Sequence, residues 1–262
     1  MMKTPEHFLN NRNPSWCSGC FFHNILAALT QMFSEKKIES SRVNVISGIG
    51  CSSRLPLYLN TFGMHTIHGR AIPVAVGARL SRPDIPVIVT AGDGDLFSIG
   101  IGHFVHAAQK NFKMMVICMD NRMFAMTKNQ SSPTSDQGHC GSLTPQGKHE
   151  PPLNIVDFAI SCNASFVART CAIDKSHMSR MFAKAFDHDG FSFVHVIAPC
   201  FTLDKKSVLS ASVMVDIERD ISHDSQNRVE AQSISCITST NIPVGVFYIQ
   251  NRPIFEEQIR RR

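Results

Sequence analysis

Short apolar runs alternate with longer amphipathic stretches along most of this chain, and this alternation limits the folds available to it. The apolar runs predict strands at residues 43–47, 86–91, 114–119, 165–169 and 191–198. The stretches between or before them predict helices at residues 21–33, 71–80, 99–110, 155–162 and 175–186. Continuous apolar runs, such as residues 85–89, are typical of parallel strands that are covered on both faces. The sequence therefore predicts an α/β fold with a doubly wound, mostly parallel sheet.

The length of the chain allows one full hydrophobic core without disulfides or metal staples. A chain of 262 residues buries roughly 70 to 75% of the surface that its unfolded form exposes. Beyond residue 200 the periodicity weakens, and a short apolar run at residues 244–248 precedes a charged tail. We therefore expect a principal domain over residues 1–200 and a C-terminal extension over residues 201–262 that packs on it.

Charge and hydropathy exclude two kinds of partner. The chain has 26 Lys and Arg against 21 Asp and Glu, and the basic residues are scattered except for Arg260, Arg261 and Arg262. Nucleic-acid binding needs a clustered basic stripe, so no nucleic acid is expected. No apolar run approaches the ~20 residues that span a bilayer, and the first 16 residues lack the apolar segment of a secretory signal. We expect a cytoplasmic protein without membrane contact.

The nine cysteines do not suit a disulfide framework, because the cytoplasm keeps thiols reduced. Cys17 and Cys20 form a Cys-x-x-Cys pair, while Cys51 and Cys200 each lie just past the end of a predicted strand. Four thiolates that meet at one sheet edge can hold either zinc or an iron–sulfur cluster, and spacing alone does not choose between them. Buried, inert thiols are expected for the remaining cysteines, which mostly lie in apolar stretches: Cys118, Cys140, Cys162, Cys171 and Cys236.

Oxygen ligands follow two neighbouring predicted strands. Asp93, within Gly92-Asp93-Gly94, comes directly after one strand, and Asn121 comes directly after the next. In an open parallel sheet both positions lie at carboxyl strand ends, where ligands bind. Carboxylate and amide oxygens suit Mg²⁺, and Gly94 lets the backbone approach a diphosphate. This pair of segments resembles the diphosphate-binding motif of thiamine-diphosphate enzymes.

A polar segment rich in proline and glycine lies between residues 127 and 152. It is too long to be a simple connector in a compact domain. We interpret it as a candidate lid or partner-contact loop.

Several motifs occur in order and make the resemblance more specific. They are WCSGC at residues 16–20, SGIGCSSR at 47–54, HTIHGR at 65–70, GDGD at 92–95, and MTK with SPT at 126–128 and 132–134. Together they resemble the β subunit of the 2-oxoacid:ferredoxin oxidoreductases, nearest to the 2-oxoglutarate-type members. The resemblance covers most of residues 16–200, and the tail with Arg252-Pro253 and Glu256-Glu257 is similar too.

The resemblance implies three sets of ligands. It implies a [4Fe-4S] cluster on Cys17, Cys20, Cys51 and Cys200. It implies Mg²⁺ on Asp93, Asn121 and the backbone carbonyl of Met123. The residues implied to contact thiamine diphosphate are Ile49, Gly50, Cys51, Ser52, His68, Gly94, Asp95, Ala125 and Met126.

The resemblance also implies an activity and partners. Members of this family decarboxylate a 2-oxo acid oxidatively, transfer the acyl group to coenzyme A, and pass electrons through the cluster to ferredoxin. Arg54 is a candidate for gripping the carboxylate of the substrate, because a guanidinium can bind a carboxylate bidentately. The carboxylic acid that activates the cofactor is expected from an α subunit, which carries the pyrimidine-binding domain. We therefore expect the chain to be inactive alone and to work in a heteromer.

Three other interpretations stay open at this point. The first is a subunit of a non-oxidative thiamine-dependent decarboxylase, which would need no cluster. The second is a zinc-stabilised subunit without catalytic activity, which metal content would distinguish. The third is a general α/β binding protein with buried thiols, in which the loss of Cys17 would change little.

Overall fold

Eight strands form one sheet in the computed structural model, which describes residues 4–204, 211–238 and 240–260. The strands are β1 (Asn44–Ser47), β2 (Phe62–His65), β3 (Val87–Gly92), β4 (Met114–Asp120), β5 (Phe166–Cys171), β6 (Phe191–Ile197), β7 (Met214–Asp216) and β8 (Ile242–Ile249). Their order across the sheet is β2-β1-β3-β4-β6-β5-β8-β7. The neighbouring pairs from β2 to β5 are parallel, whereas β8 runs antiparallel to β5 and β7 runs parallel to β8. The predicted mostly parallel sheet is confirmed.

Helices cover both faces of this sheet. They are α1 (Phe22–Glu35), α2 (Ala71–Ser81), α3 (Ile101–Lys110), α4 (Ile155–Ser161), α5 (Lys175–Asp187), α6 (Arg228–Ser233) and α7 (Phe255–Arg260). One core cluster joins α1 and α5 to one face of the sheet, and a second joins α2, α3 and α4 to the other. Successive residues of one strand enter different clusters: Val45 of β1 packs in the first and Ile46 in the second. The two-sided burial inferred from continuous apolar runs is therefore present.

Side-chain caps mark the starts of α4 and α5. The side chain of Asn154 accepts a hydrogen bond from the backbone N–H of Asp157 at the start of α4. Asp174 does the same for His177 at the start of α5. Such N-caps satisfy backbone donors that the first helical turn leaves unpaired. At its other end α3 stops at Asn111, which has a left-handed backbone conformation with φ of 59°.

The elements predicted within the first 200 residues are present with shifts of one or two residues at most ends. The helix predicted from residue 99 is different, because a π-helical turn, Asp95–Ile99, precedes α3. The edge strand β2 was not predicted. Beyond residue 200 the weak periodicity concealed β8, which extends the sheet beside β5 and contains the apolar run at residues 244–248.

The segment over residues 127–152 is built mainly from turns and short bridges, as expected for a loop. Among the described residues, no helix is both long and apolar enough to cross a membrane. Arg261 and Arg262 of the basic terminal run lie outside the described residues.

Candidate cofactor and cluster site

The predicted site residues meet at the carboxyl edge of the sheet. Ser47, the last residue of β1, pairs with Thr90 of β3, and Gly92 at the end of β3 pairs with Met119 of β4. Asp120 pairs with Ile197 at the ends of β4 and β6. The segments that leave these strands therefore begin side by side. They carry the candidate residues for the magnesium site, the diphosphate site and the cluster.

Asp93 and Asn121 are both buried at this edge, with 1% and 8% of their surface exposed. The Asn121 Oδ1 atom accepts a hydrogen bond from the backbone N–H of Met123 at 3.3 Å. This contact holds the turn after β4 against the Asn121 side chain. Met123 itself is 4% exposed. The structure thus places all three predicted Mg²⁺ ligands in the two turns that follow β3 and β4.

A threonine hydroxyl lies between two carboxylates beside this site. Thr134 Oγ1 is 2.8 Å from Asp93 Oδ2 and 2.8 Å from Asp120 Oδ1. A hydroxyl has one hydrogen, so it can donate to only one of the two carboxylates at a time. Asp120 already accepts hydrogen bonds from His195 at Oδ2 and from the backbone N–H of Arg122 at Oδ1, so the hydroxyl hydrogen of Thr134 is available to Asp93. A buried carboxylate such as Asp93 is a hard oxygen donor of the kind that binds Mg²⁺.

The pKa values of Asp93 and Asp120 are shifted in opposite directions. Burial, together with repulsion from Asp120, raises the pKa of Asp93 to about 7. Burial acts the same way on Asp120, but the hydrogen bond from His195, together with the nearby charge of Arg122, outweighs it and holds the pKa of Asp120 below its usual value. Asp120 is therefore the ionised member of the pair when no cation is bound. A cation at Asp93 would offset the cost of ionising that buried carboxylate.

Asp95 fastens two loops at the mouth of the site. Its Oδ1 atom accepts hydrogen bonds from the backbone N–H of Gly69 at 2.7 Å and of Ile49 at 3.3 Å, and it contacts His68 Nδ1. Its Oδ2 atom is buried and has no hydrogen-bond partner, and it lies against Gly48. The Asp95 side chain is thus committed to the loops that follow β1 and β2. Asp95 is also the first residue of the π-helical turn Asp95–Ile99.

Two glycines allow close packing around the predicted diphosphate site. A Cβ atom at Gly94 would lie 2.3 Å from the ring of Phe124, and one at Gly92 would lie 3.0 Å from Ser52 Oγ. The loop after β1 contains Gly50, which has a φ of 124° that side chains rarely adopt. The predicted cofactor contacts Ala125 and Met126 belong to a 3-10 helix, Ala125–Thr127. The glycines let these segments pack closely against one another.

The four predicted cluster cysteines line one cavity. The cavity has a volume of ≈210 Å³, and its walls include Cys17, Cys20, Cys51 and Cys200. Its walls also include Asn121 and Ala125, which belong to the predicted magnesium and cofactor sites. The cluster cavity and the cofactor site are therefore neighbours that share residues.

The cysteine loop is held in shape by its backbone. Cys20 donates its backbone N–H to the carbonyl of Cys17 at 3.0 Å, and Gly19 between them has a φ of 76°. Trp16 is buried and donates its indole N–H to the carbonyl of Cys51 at 2.7 Å. This bond ties the first cysteine loop to the second.

The thiols are close enough to influence one another. Burial raises the pKa of Cys20 to about 11, and repulsion from the other three thiols contributes to the rise. Burial also raises the pKa of Cys51, an effect that the charge of Arg54 opposes. Across the described part of the chain, no three Cys, His, Asp or Glu side chains gather tightly enough to hold a single metal ion. The four sulfurs instead surround a cavity.

Arg54 lies in the wall of the cluster cavity. Its Nη1 atom donates to Ser15 Oγ at 2.9 Å and to the Ser15 carbonyl at 3.3 Å. Arg54 is half-buried, and Asn121 lies in the same wall. The structure therefore places this cation in the same cavity wall as the cysteines and Asn121.

The other cysteines divide into two groups. Cys118, Cys162 and Cys171 are buried, as expected for inert thiols. Cys140 and Cys236 are exposed, contrary to the expectation, because they lie in the loop over residues 127–152 and after α6.

Sequence reasoning missed a hydrogen-bonded network of buried polar side chains next to the site. His195 Nε2 lies 2.9 Å from Asp120 Oδ2, and Arg169 Nε donates to His195 Nδ1 at 3.1 Å. Burial lowers the pKa of His195 to about 4 and that of Arg169 to about 9. The available signal was a charged residue inside a strand that is otherwise apolar and covered on both faces. Thr134 was quoted in a motif but was given no role.

The sequence and the fold match those of known proteins. The family model described as "Thiamine pyrophosphate enzyme, C-terminal TPP binding domain" matches residues 48–196. A second model, which describes the C-terminal part of the pyruvate ferredoxin oxidoreductase beta subunit, matches residues 212–262. The chain belongs to the family of 2-oxoacid:ferredoxin oxidoreductase β subunits, thiamine-diphosphate-dependent oxidoreductases of 2-oxo acids.

Individual relatives cover nearly the whole chain. The β subunit of 2-oxoacid:ferredoxin oxidoreductase 1 of Aeropyrum pernix is 34% identical over 94% of this chain and 81% of its own length. The 2-oxoglutarate synthase subunit KorB of Methanocaldococcus jannaschii is 33% identical over 94% of this chain and 91% of its own. Among solved structures, the 2-oxoglutarate:ferredoxin oxidoreductase of Magnetococcus marinus, with 2-oxoglutarate, coenzyme A and succinyl-CoA bound, matches with a TM-score of 0.94. That match has 33% identity and covers 99% of this chain and 89% of the other.

Proposed function

We propose that this β subunit binds thiamine diphosphate, Mg²⁺ and a [4Fe-4S] cluster in an enzyme that converts a 2-oxo acid and coenzyme A to an acyl-CoA and CO₂. Ferredoxin is the proposed electron acceptor, and a 2-oxo acid of the 2-oxoglutarate or pyruvate type is the proposed substrate. The observation that carries the proposal is the shared wall. The cavity of the four cysteines also contains Asn121 and Ala125 of the cofactor site. Electrons would therefore cross only a short distance from cofactor to cluster.

The proposed cluster ligands are Cys17, Cys20, Cys51 and Cys200. A four-iron cluster binds each cysteine through a different iron, so it needs sulfurs arranged around a space. The ≈210 Å³ cavity offers that arrangement. Ligation would also stabilise the thiolate forms that burial disfavours at Cys20 and Cys51.

The proposed Mg²⁺ ligands are Asp93, Asn121 and the carbonyl of Met123. Asp93 is a buried carboxylate in contact with the hydroxyl of Thr134, and a bound cation would offset the cost of ionising it there. The proposed contacts of thiamine diphosphate lie in the surrounding loops: Ile49, Gly50, Cys51, Ser52, His68, Gly94, Asp95, Ala125 and Met126.

Thiamine diphosphate, when bound, supplies the electron sink for decarboxylation, and the cluster supplies a one-electron acceptor. The residues of this chain bind and orient. Asp95 holds the loops that carry Ile49 and His68, so that their backbones stay in place around the diphosphate. Arg54 is the proposed partner of the substrate carboxylate, and its bond to Ser15 orients its guanidinium in the cavity wall.

The proposed enzyme includes a second subunit. We propose that residues 1–200 form the cofactor domain, that residues 201–262 are an extension packed on it, and that an α subunit supplies the acid facing the pyrimidine ring. The relatives are named as β subunits, which supports a heteromer.

The test compares the isolated chain with the chain co-expressed with its α subunit. Both are purified without oxygen and given thiamine diphosphate, Mg²⁺, coenzyme A and a viologen dye as electron acceptor. We expect 2-oxo-acid-dependent dye reduction only in the heteromer. Turnover by the isolated chain would contradict the division of labour, and no turnover by a heteromer loaded with both cofactors would contradict the proposed reaction.

A further inference from the structure

A hydrogen-bonded network of buried polar side chains adjoins the proposed magnesium ligand Asp93 and has no role in the proposed function so far. Its members are Thr134, Asp120, His195 and Arg169, with 4%, 3%, 2% and 0% of their surface exposed. They come from four separate segments: the loop over residues 127–152 and the strands β4, β6 and β5. Burying a polar group costs free energy unless the group is hydrogen-bonded, so such a network has to be explained.

The hydrogen bonds that join Arg169, His195 and Asp120 in this network have a fixed direction. A guanidinium can only donate, so the 3.1 Å bond from Arg169 Nε makes His195 Nδ1 an acceptor. The proton of the neutral imidazole then lies on Nε2, which donates to Asp120 Oδ2 at 2.9 Å. Arg169 therefore selects the histidine tautomer that can serve Asp120.

The contacts of Asp120 leave the hydroxyl hydrogen of Thr134 available to Asp93. Its Oδ2 atom is taken by His195, and its Oδ1 atom accepts from the backbone N–H of Arg122 at 2.9 Å. Thr134 Oγ1 lies 2.8 Å from that same Oδ1 atom and 2.8 Å from Asp93 Oδ2. The network thus ends at a carboxylate oxygen of Asp93, the proposed Mg²⁺ ligand.

Further contacts hold both ends of this hydrogen-bonded network in place. Arg169 donates to the carbonyls of Pro243 at 3.2 Å and Ser235 at 2.8 Å, and its guanidinium lies 5.0 Å from the ring centre of Phe247. On the other side, Lys148 Nζ donates to the carbonyl of Ser135 at 2.9 Å, next to Thr134. The C-terminal segment therefore holds Arg169, and Lys148 holds the loop that carries Thr134.

We propose that Thr134 and His195 are positioning residues, which orient the Asp93 carboxylate for Mg²⁺. This inference rests on the proposed function, because it takes Asp93 to be a magnesium ligand. Partners behind a metal ligand typically change metal affinity by roughly 10- to 100-fold when they are removed. Their removal acts on metal binding more than on the chemical step.

The test measures Mn²⁺ binding, used in place of Mg²⁺, by electron paramagnetic resonance at a saturating concentration of thiamine diphosphate. The protein is the full-length chain in complex with its α subunit. Thr134→Val removes the hydroxyl and keeps the shape, and Thr134→Ser restores the hydroxyl. His195→Leu removes the donor to Asp120, and His195→Gln keeps an amide that can both accept and donate. Asp93→Asn is the reference for loss of the ligand itself.

We expect Thr134→Val and His195→Leu to weaken Mn²⁺ binding roughly 10- to 100-fold, while Thr134→Ser and His195→Gln stay near the wild type. The Mg²⁺ concentration for half-maximal turnover should rise in parallel, with kcat at saturating Mg²⁺ little changed. Because His195→Leu leaves a buried carboxylate short of a donor and could fail to fold, the threonine pair carries the decision.

Two results would overturn the proposal alone. One is wild-type Mn²⁺ affinity in Thr134→Val, and the other is an equal loss in Thr134→Val and Thr134→Ser. A different result would reach further: if Asp93→Asn bound Mn²⁺ like the wild type, the proposed magnesium site would be wrong as well. The failure of this inference and the failure of the proposed function are therefore distinguishable.

Discussion

Asp95 shows how one carboxylate organises the mouth of the site. Its Oδ1 atom receives two backbone N–H groups and contacts His68, so it joins the loops after β1 and β2 to the turn after β3. This arrangement requires Gly48, because a Cβ atom there would lie 1.8 Å from Asp95 Oδ2. The glycine is needed for space, since the carboxylate occupies the volume a side chain would fill.

Gly48→Ala should therefore weaken thiamine-diphosphate binding. The added methyl group displaces the Asp95 carboxylate from the N–H groups of Ile49 and Gly69. A hydrogen bond to a charged group is worth about 1.5 to 3 kcal/mol, so we expect affinity to fall by about tenfold or more. The measurement is a titration of the heteromer with thiamine diphosphate by isothermal calorimetry in the presence of Mg²⁺.

Gly77→Ala is the matched control for this change. Gly77 lies in α2, and nothing lies within 4 Å of the position a Cβ atom would take. Alanine is the better helix former by about 1 kcal/mol, so this variant should bind the cofactor normally and unfold no more easily. Unchanged affinity in Gly48→Ala would show that the Asp95 contacts do not shape the cofactor site.

At the scale of elements, strand ends were predictable and their side-chain partners were not. The ends of β3 and β4 followed from continuous apolar runs, and they placed Asp93 and Asn121 correctly at one edge. Strand β2 escaped because it has only four residues, all exposed at the edge of the sheet, and such a short alternation of Phe62 and Met64 with Gly63 and His65 gives little signal. Strand β8 escaped because it follows a long stretch without periodicity.

The C-terminal helix α7 docks far from the site, at the opposite ends of the strands. Glu256 is 3% exposed and accepts a hydrogen bond from Arg79 Nε of α2 at 2.7 Å. It also accepts from the backbone N–H of Lys113, just before β4, at 3.1 Å. Arg79 is itself buried, so the ion pair joins the tail of the chain to the sheet without solvent.

Glu256→Ala should lower the free energy of unfolding by about 3 to 5 kcal/mol. It leaves the buried Arg79 without its counter-charge, and breaking a buried pair from one side costs about that much. Urea unfolding monitored by circular dichroism gives the value. Glu257→Ala is the control, because the neighbouring Glu257 is exposed and should lose less than ~1 kcal/mol. Equal stability in the two variants would show that α7 does not dock through this pair.

At the scale of the whole molecule, the sheet gathers the predicted cofactor and cluster residues on one edge and ties that edge to the C-terminal segment. The cysteines and the pair of Asp93 and Asn121 could be predicted because each follows a strand or forms a short motif. The hydrogen-bonded network that joins Thr134 to Arg169 could not, because its members are far apart in sequence and only the sheet order brings β4, β6 and β5 together. The hydrogen bonds of Arg169 to Ser235 and Pro243 then connect the extension to the site.

The group that the four cysteines hold decides whether this chain transfers electrons. The decisive measurement is the content of iron, acid-labile sulfide and zinc, with a visible spectrum, on the full-length chain purified without oxygen. Cys17→Ser and Cys200→Ser test the ligands, and Cys140→Ser, which changes an exposed cysteine outside the cavity, is their control.

We expect about four iron and four sulfide per chain in the wild type and in Cys140→Ser, and a loss of both in Cys17→Ser and Cys200→Ser. Zinc without sulfide would contradict the proposed cluster. The thiamine-diphosphate fold would stand, but electron transfer through this chain would not.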